Sequence, residues 1–283
     1  MENQRNISEF ILLGLSYDQN IQIFCFVFFL FCYLVLLVGN LLILFSIQCS
    51  PLFNQPMYYF LSHLSLIDIC YTYSVTPKII GDLLVERNTV SYANCMLQVL
   101  IMYFFGGTEI FILTAMAFDR YVAICKPLYY VIIMNRTRCN LLLLAAWAGG
   151  SVHSFPHFFM AIGLPFCGLN EIDHYFCDIF PLLKIACTDT YLTDVLVIVF
   201  SGMVALVTFA ILLVSYGVIL FTLDNRPVEE RHRARSPCGP HITVVLLFFV
   251  PVVSIYLRPP ITFSEDKIIW AILHHHCPPC SIP

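Results

Sequence analysis

The chain has 283 residues, of which 59% are hydrophobic and only 11% are charged, and its mean hydropathy is +0.83. Because soluble domains usually carry about 25% charged residues, a chain this apolar cannot cover a water-facing surface, and the lipid bilayer must be its solvent. The net charge of −4 argues against a nucleic-acid partner, and the absence of a glycine-rich phosphate loop or a zinc-ligand pair argues against an enzyme.

Six apolar stretches, each about 20 residues long, are able to span a bilayer. They lie near Ile21–Ile47, Met57–Ile80, Cys95–Asp119, Cys139–Leu164, Asp194–Leu223 and His241–Leu257. Since lipid offers no hydrogen-bond partner for open backbone, each stretch must be a helix. The connections are short and polar. We therefore predict an all-α polytopic transmembrane bundle over residues 21–257, after an extracellular segment at 1–20 and before a tail at 258–283.

Basic residues set the orientation of the bundle. More than half of the lysines and arginines lie in two connections, at Arg120, Lys126, Arg136 and Arg138 after the third stretch and at Arg226, Arg231, Arg233 and Arg235 after the fifth. The long connection after the fourth stretch is acidic instead. By the positive-inside rule, the amino terminus is extracellular and the connections after stretches one, three and five are cytoplasmic.

Four of the 13 cysteines fall on the outer side, at Cys95, Cys167, Cys177 and Cys187. Only this side passes through an oxidising compartment, so disulfides are expected there. Four cysteines allow three connectivities, and the sequence alone leaves the choice open. The sequon Asn6-Ile7-Ser8 lies on the same side, and we expect Asn6 to be glycosylated.

Several motifs follow one another in a specific order. They are Gly39-Asn40, Pro56–Ser62, Leu64–Asp68, Met116–Leu128, Leu164–Cys167, His174–Asp178, Ala186-Cys187 and Ser215-Tyr216. The set covers roughly residues 7–269 and resembles the vertebrate olfactory receptors, which are rhodopsin-like G-protein-coupled receptors. The resemblance implies a seven-helix fold in the plasma membrane that binds a small, mostly apolar ligand and couples to a heterotrimeric G protein. It also implies the disulfides Cys95–Cys177 and Cys167–Cys187, which tie the outer loop over the ligand pocket.

Two carboxylates are predicted at the same depth in the bilayer. Asp68 lies 11 residues after Met57, and Glu109 lies 11 residues before Arg120 in the antiparallel third helix, so both sit roughly 16 Å from the cytoplasmic face. Buried charges are costly, and this pair must share a proton, a cation or a polar neighbour such as Asn40. The resemblance implies a switch that could hold a sodium ion, and the alternative is a pair of protonated structural acids. No other cofactor or metal is expected.

The triplet Asp119-Arg120-Tyr121 ends the third helix on the cytoplasmic side. Arg120 can pair with Asp119 in the inactive state and turn to a G protein when the helices separate. The flanking motif and Tyr216 on the fifth helix favour this coupling role. The alternative is an arginine that simply extends to the interface.

The ligand pocket is expected in the outer half of the bundle. Its candidate residues are Met102, Tyr103, Gly106 and Gly107 on the third helix, Phe200 and Ser201 on the fifth, and Phe248 and Ile255 on the sixth. An apolar cavity with one or two hydroxyls suits a small volatile or fatty molecule. The alternative is that the glycines mark close helix packing and the aromatic residues are ordinary core.

The C-terminal part departs from the family pattern. The apolar run at residues 268–273 is only six residues long and precedes His274, His275 and His276, so no seventh span is predicted. A shifted reading frame accounts for this, since permitted codons for residues 272–277 give Phe-Tyr-Thr from their second base. A metal site is disfavoured because the histidines are consecutive and no scaffold fixes them.

Three function classes follow from these features. The first is an odorant-type receptor, and the second is a non-signalling product of a decayed receptor gene that stays in the endoplasmic reticulum. Pro237 and Pro240 favour the second, because an interior proline disfavours a helix by about 3 kcal/mol at the end of helix six that must move. The third class, a channel or transporter, lacks the expected inverted repeat.

Overall fold

A computed structural model describes residues 8–14, 19–85, 88–168, 170–224 and 238–257. Its helices are α1 (Gln19–Gln48), α2 (Pro56–Asp82), α3 (Tyr92–Cys125), α4 (Tyr130–Ile133), α5 (Arg136–Ile162), α6 (Ile179–Ile185), α7 (Tyr191–Asp224) and α8 (Cys238–Leu257). Two 3-10 turns lie at Pro51–Asn54 and Pro127–Tyr129, and three strands are β1 (Glu9–Leu12), β2 (Asn88–Ser91) and β3 (Glu171–Ile172).

The six predicted spans fall in α1, α2, α3, α5, α7 and α8, and the helices run beyond most of the predicted ends. The largest extension is in α3, which begins at Tyr92, three residues before Cys95, and continues to Cys125, six residues beyond Asp119. Among the described residues, α1, α3 and α7 are long and apolar enough to cross a membrane by length and composition alone. α2 and α5 carry buried polar side chains, such as Asp68 and His153, which lower their mean hydropathy.

The third helix lies at the centre of the bundle, where it contacts α2, α5 and α7. Its closest approach is to α5, at Gly149 and Gly150. A Cβ atom added at Gly150 would overlap Thr108 Oγ1 and lie 2.9 Å from the carbonyl oxygen of Phe104. Only a glycine lets these two backbones come so near, and the pair of glycines therefore fixes α5 against α3.

The inner half of the bundle holds the largest apolar core. Phe60 and Leu64 of α2, Ile112 and Leu113 of α3, and Phe249 of α8 are almost fully buried there. The outward faces of α1 and α7 are apolar as well, at Phe24, Phe45 and Phe221 among others. Such faces are unfavourable in water but suit the hydrocarbon core of a bilayer.

A small sheet covers the outer end, which the all-α prediction omitted. β1 is the central strand and pairs antiparallel with β2 and parallel with β3. Phe10 of β1 is fully buried and packs against Tyr92 and Phe166. The amino-terminal segment thus joins the two outer connections, one before α3 and one after α5.

Pro240 is the third described residue of α8, which continues as a helix from Cys238 to Leu257. The expected effect of the two prolines on the start of this helix stays a prediction. Pro237, the tail at 258–283 and Asn6 lie outside the described residues.

Candidate ligand and signalling sites

The polar residues predicted at mid-depth come together in the structure. Asn40, Asp68 and Glu109 are at most 9% exposed, and the Asn40 side chain is hydrogen-bonded to Asp68. Asp68 and Glu109 are close enough to interact electrostatically. Because two buried carboxylates repel each other when both are ionised, the arrangement requires a shared proton or a bound cation.

The arrangement has free acceptor atoms that suit a cation. Asp68 Oδ2, Glu109 Oε1 and Ser65 Oγ are buried and have no hydrogen-bond partner among the described residues. Ser65 lies three residues before Asp68, on the same face of α2. Oxygen ligands of this kind fit a hard cation, although within the described ranges no group of three His, Cys, Asp or Glu side chains could hold a metal.

The cytoplasmic end of α3 forms a closed ion pair. Arg120 donates from Nε and NH2 to Asp119 Oδ2, at 3.0 and 2.6 Å. The other oxygen, Asp119 Oδ1, accepts a hydrogen bond of 2.9 Å from the Tyr130 hydroxyl. Burial and the Asp119 carboxylate raise the pKa of Tyr130, so this hydroxyl remains a donor. Both oxygens of the fully buried Asp119 are therefore occupied.

The other predicted coupling residues belong to the inner core. Tyr216 of α7 is buried in it, and Tyr121 is partly buried against it. A contact of 3.6 Å between Cys125 Sγ and Thr222 Oγ1 joins the inner ends of α3 and α7. The cytoplasmic ends of these two helices are therefore in contact.

An apolar patch lies next to the ion pair, in the connection between α3 and α5. Leu128 is 91% exposed and Val131 is 81% exposed, with Tyr129 and Ile132 also exposed beside them. Short helical turns at 127–133 present these side chains outward while Tyr130 turns inward to Asp119. Exposed apolar patches of this type are typical of interaction surfaces.

On the outer side, disulfides join Cys95 to Cys177 and Cys167 to Cys187, with Cα–Cα distances of 5.3 and 5.8 Å. This is the pairing that the resemblance implies. The backbone N–H of Cys177 also donates to Gln98 Oε1 of α3, at 3.1 Å. The outer loop is therefore attached to the top of α3 both covalently and by a hydrogen bond.

Asp178 connects this loop to the interior. Its Oδ1 accepts from the Ile179 N–H at 2.7 Å, which caps α6, and from the Tyr103 hydroxyl at 3.1 Å. Burial raises the pKa of Asp178 to about 6, although both hydrogen bonds oppose the shift. The outer loop and α3 thus meet at a carboxyl group that titrates near neutral pH.

A polar cluster lies below Tyr103, between α3, α5 and α7. The Tyr103 ring stacks on His157, with 4.2 Å between ring centroids. His157 Nε2 lies 2.7 Å from Ser201 Oγ, and His157 Nδ1 lies 2.8 Å from the carbonyl oxygen of His153. His153 stacks on Phe200. Both histidines are buried within the bundle.

The structure separates the predicted pocket residues into groups. Tyr103, Phe200 and Ser201 surround the histidines. The space beside Gly107 is occupied by His153, whose Cδ2 would lie 3.0 Å from a Cβ added at Gly107. Gly106 faces open space.

The remaining pocket predictions lie elsewhere. Met102 is buried near the outer loop, and Phe248 packs in the inner core. The side chain of Ile255 lies outside the described part of the chain.

Four residues of these sites were not predicted from the sequence: His153, His157, Ser65 and Tyr130. Both histidines lie four residues apart on α5, a spacing that places them on one helix face. That pattern could have indicated a polar face. The inward rotation of Tyr130, by contrast, depends on the turn at residues 127–129 and leaves no periodic signal.

Comparison with known proteins gives one consistent result. A family model described as olfactory receptor matches residues 29–274. Olfactory receptor 4S2 of Homo sapiens is 54% identical over 269 residues, which cover 95% of this chain and 86% of that receptor. Olfactory receptor 4B13 of Mus musculus is 49% identical over 95% of this chain and 88% of its own length. Olfactory receptor 4A5 of Homo sapiens is 49% identical over 99% of this chain and 89% of its own length.

Proposed function

This chain belongs to the olfactory receptor family and is an odorant-receptor-like G-protein-coupled receptor of the plasma membrane; on that basis we propose a role for each of its described sites. The outer cluster binds a small, mostly apolar ligand, the mid-depth carboxylates act as the switch, and the inner end of α3 couples to a heterotrimeric G protein. The similarity to named receptors favours this function over a non-signalling product and over a channel or transporter.

The outer cluster supports ligand binding because it combines apolar walls with a few polar atoms. Tyr103 and Phe200 provide aromatic surface, and Ser201 with the two histidines provides hydrogen-bonding groups. Small-molecule sites usually have this composition. Among the described residues no atom lies within 4 Å of a Cβ built at Gly106, so α3 is not closely packed at that position.

The mid-depth carboxylates support a switch because their negative charge needs a proton or a cation to balance it. That need changes when the helices that carry them move. Asp68, Glu109 and Asn40 would hold a sodium ion, which would supply the missing positive charge. Ser65 adds a hydroxyl oxygen to the same face of α2. A movement of α3 relative to α2 would separate the two carboxylates and change their need for a shared proton or cation.

One observation carries the coupling proposal: both oxygens of the buried Asp119 are bonded, one to Arg120 and one to Tyr130. In this state Arg120 is held to its own helix. Breaking the pair would free the guanidinium for carbonyl oxygens of a G protein. The neighbouring patch at Leu128 and Val131 is exposed on the same side and gives that partner an apolar surface to cover.

The proposal is tested by ligand-dependent cAMP in cells that express the full chain with a trafficking chaperone. Arg120→Gln should abolish the response at equal surface expression. Arg138→Gln, which alters an arginine at the start of α5 away from the ion pair, should leave it intact. The coupling proposal would be refuted if the wild-type chain reaches the surface and gives no cAMP response to any odorant of a broad panel. An Arg120→Gln variant with a full response would refute it as well.

A further inference from the structure

We propose that the cluster of His153, His157 and Ser201 is the head-group subsite of the ligand pocket and selects neutral alcohols. This inference rests on the proposed ligand-binding function and adds the chemical class of the ligand. It depends on the hydrogen-bond directions inside the cluster, on one unpartnered ring nitrogen and on the charges that are within reach.

The hydrogen-bond directions follow from one carbonyl group. His157 Nδ1 lies 2.8 Å from the carbonyl oxygen of His153. Because a carbonyl oxygen can only accept, His157 Nδ1 must carry the proton. In a neutral imidazole the other nitrogen is then an acceptor. The Ser201 hydroxyl, 2.7 Å from His157 Nε2, must therefore donate to it.

This arrangement fixes what Ser201 offers to a ligand. Its hydrogen atom is engaged with His157, so the lone pairs of Ser201 Oγ remain available. Ser201 is only 3% exposed, and its free lone pairs point into protein or pocket rather than to bulk water. A ligand therefore has to donate a hydrogen bond to satisfy this oxygen.

His153 provides the second contact. Its Nδ1 is buried and has no hydrogen-bond partner among the described residues, and the residue is only 7% exposed. Leaving such a group unpaired costs about 1–3 kcal/mol. The His153 ring is held by Gly107 on one side and by stacking on Phe200 on the other. Its orientation is thus fixed by packing rather than by a polar partner, which leaves the nitrogen for a ligand.

The charges nearby exclude an acidic head group. In the described part of the chain, His153, His157 and Ser201 have no hydrogen bond or ion pair with a lysine or arginine. The charged group closest in the network is Asp178, which bonds to Tyr103 above the cluster. A carboxylate ligand would lose its hydration with no cation to replace it. The head group is therefore not an anion, and an ammonium group is disfavoured because it has no lone pair to accept from a ring N–H of His153.

An alcohol meets the two requirements together. Its hydroxyl can donate to Ser201 Oγ and accept from a ring N–H of His153 at the same time. An aldehyde or ketone can only accept, and an alkane can do neither. Both contacts adjoin the same His157 ring, which is bonded to Ser201 Oγ at 2.7 Å and lies 4.9 Å from the His153 ring between centroids.

The test uses the purified full-length receptor and thermal stabilisation by octanol, octanal, octanoate and octane. Of the four probes, octanol should reach half of its maximal stabilisation of the wild-type receptor at the lowest concentration. Ser201→Ala and His153→Phe should each weaken octanol about tenfold, which corresponds to one lost hydrogen bond, and leave octane unchanged. His153→Phe keeps the ring against Phe200 and gives the same answer if Ser201→Ala fails to fold.

Thr208→Ala is the matched control. Thr208 lies two turns along α7 from Ser201 and is also buried, and its partners among the described residues are the carbonyl groups of Val204 and Ala205 in its own helix. It should leave the octanol preference unchanged. The subsite assignment is overturned if octanal, octanoate or octane equals octanol, or if Ser201→Ala or His153→Phe keeps the full octanol preference. If no probe binds and a broad odorant panel gives no cAMP, the ligand-binding function itself fails.

Discussion

Replacing Gly150 by alanine should loosen the contact between α3 and α5. The new Cβ would overlap Thr108 Oγ1 and lie 2.9 Å from both the Thr108 nitrogen and the Phe104 carbonyl oxygen. Thr108 is fully buried and its hydroxyl is bonded to the Phe104 carbonyl at 2.7 Å, so the side chain has nowhere to turn. Two of the three nearest atoms belong to the α3 backbone, and the helices must therefore separate. Overpacking of this kind costs about 1–3 kcal/mol.

Gly106→Ala is the control that isolates the overpacking cost of Gly150→Ala. Both glycines lie in the interior of long helices, so both variants gain the same preference of about 1 kcal/mol for alanine over glycine. A Cβ at Gly106 meets no atom within 4 Å. The difference between the two variants is therefore the overpacking cost at Gly150, which corresponds to a melting temperature roughly 2–12 °C lower for Gly150→Ala.

The assay is thermal unfolding of the two purified variants with a thiol-reactive dye. Cys25 and Cys139 are buried free cysteines and become reactive when the bundle opens. Surface expression in cells should fall in the same order. Equal melting temperatures, or a higher one for Gly150→Ala, would refute the close approach of α3 and α5 at this position.

Three further outcomes are expected. Tyr130→Phe removes the hydrogen bond to Asp119 and should raise ligand-independent cAMP about tenfold, since a bond to a charged group contributes about 1.5–3 kcal/mol; unchanged basal cAMP would contradict this. The pKa of Asp178 is about 6 in the folded protein against 3.8 as its ordinary value. The native state therefore takes up the proton at a higher pH than the unfolded state does, and the free energy of unfolding rises as the pH falls from 6 towards 4. The melting temperature of wild type should rise relative to that of Asp178→Asn over that range, and a pH-independent difference would count against the shift. Non-reducing peptide mapping should recover Cys95 joined to Cys177, and a free thiol at either position would contradict the structure.

The helices could be predicted from the sequence because hydrophobic length is a local property. Every predicted span coincides with a helix, and the depths of Asp68 and Glu109 followed from counting residues along two antiparallel helices. The triplet at Asp119 was equally accessible, since adjacent residues at the end of a helix stay together. These inferences needed no knowledge of how one helix is turned towards the next.

The interior contacts could not be predicted in the same way. Whether His157 faces Ser201 depends on the rotation of α5 and α7 about their axes, and apolar residues on all sides of these helices leave that rotation undetermined. The glycines show the same limit, because Gly106 and Gly107 are neighbours in sequence but one faces open space and the other faces His153. The outer sheet was missed since its short strands are far apart along the chain and carry no periodic signal.

The central position of β1 sets an order of events during synthesis. β1 leaves the ribosome first, yet one of its partners follows α2 and the other follows α5. β1 can therefore pair with β2 only after α1 and α2 have been inserted, and with β3 only after α3 and α5 have followed. Closure of the outer sheet then marks a nascent chain whose first four spans have reached the correct side of the membrane.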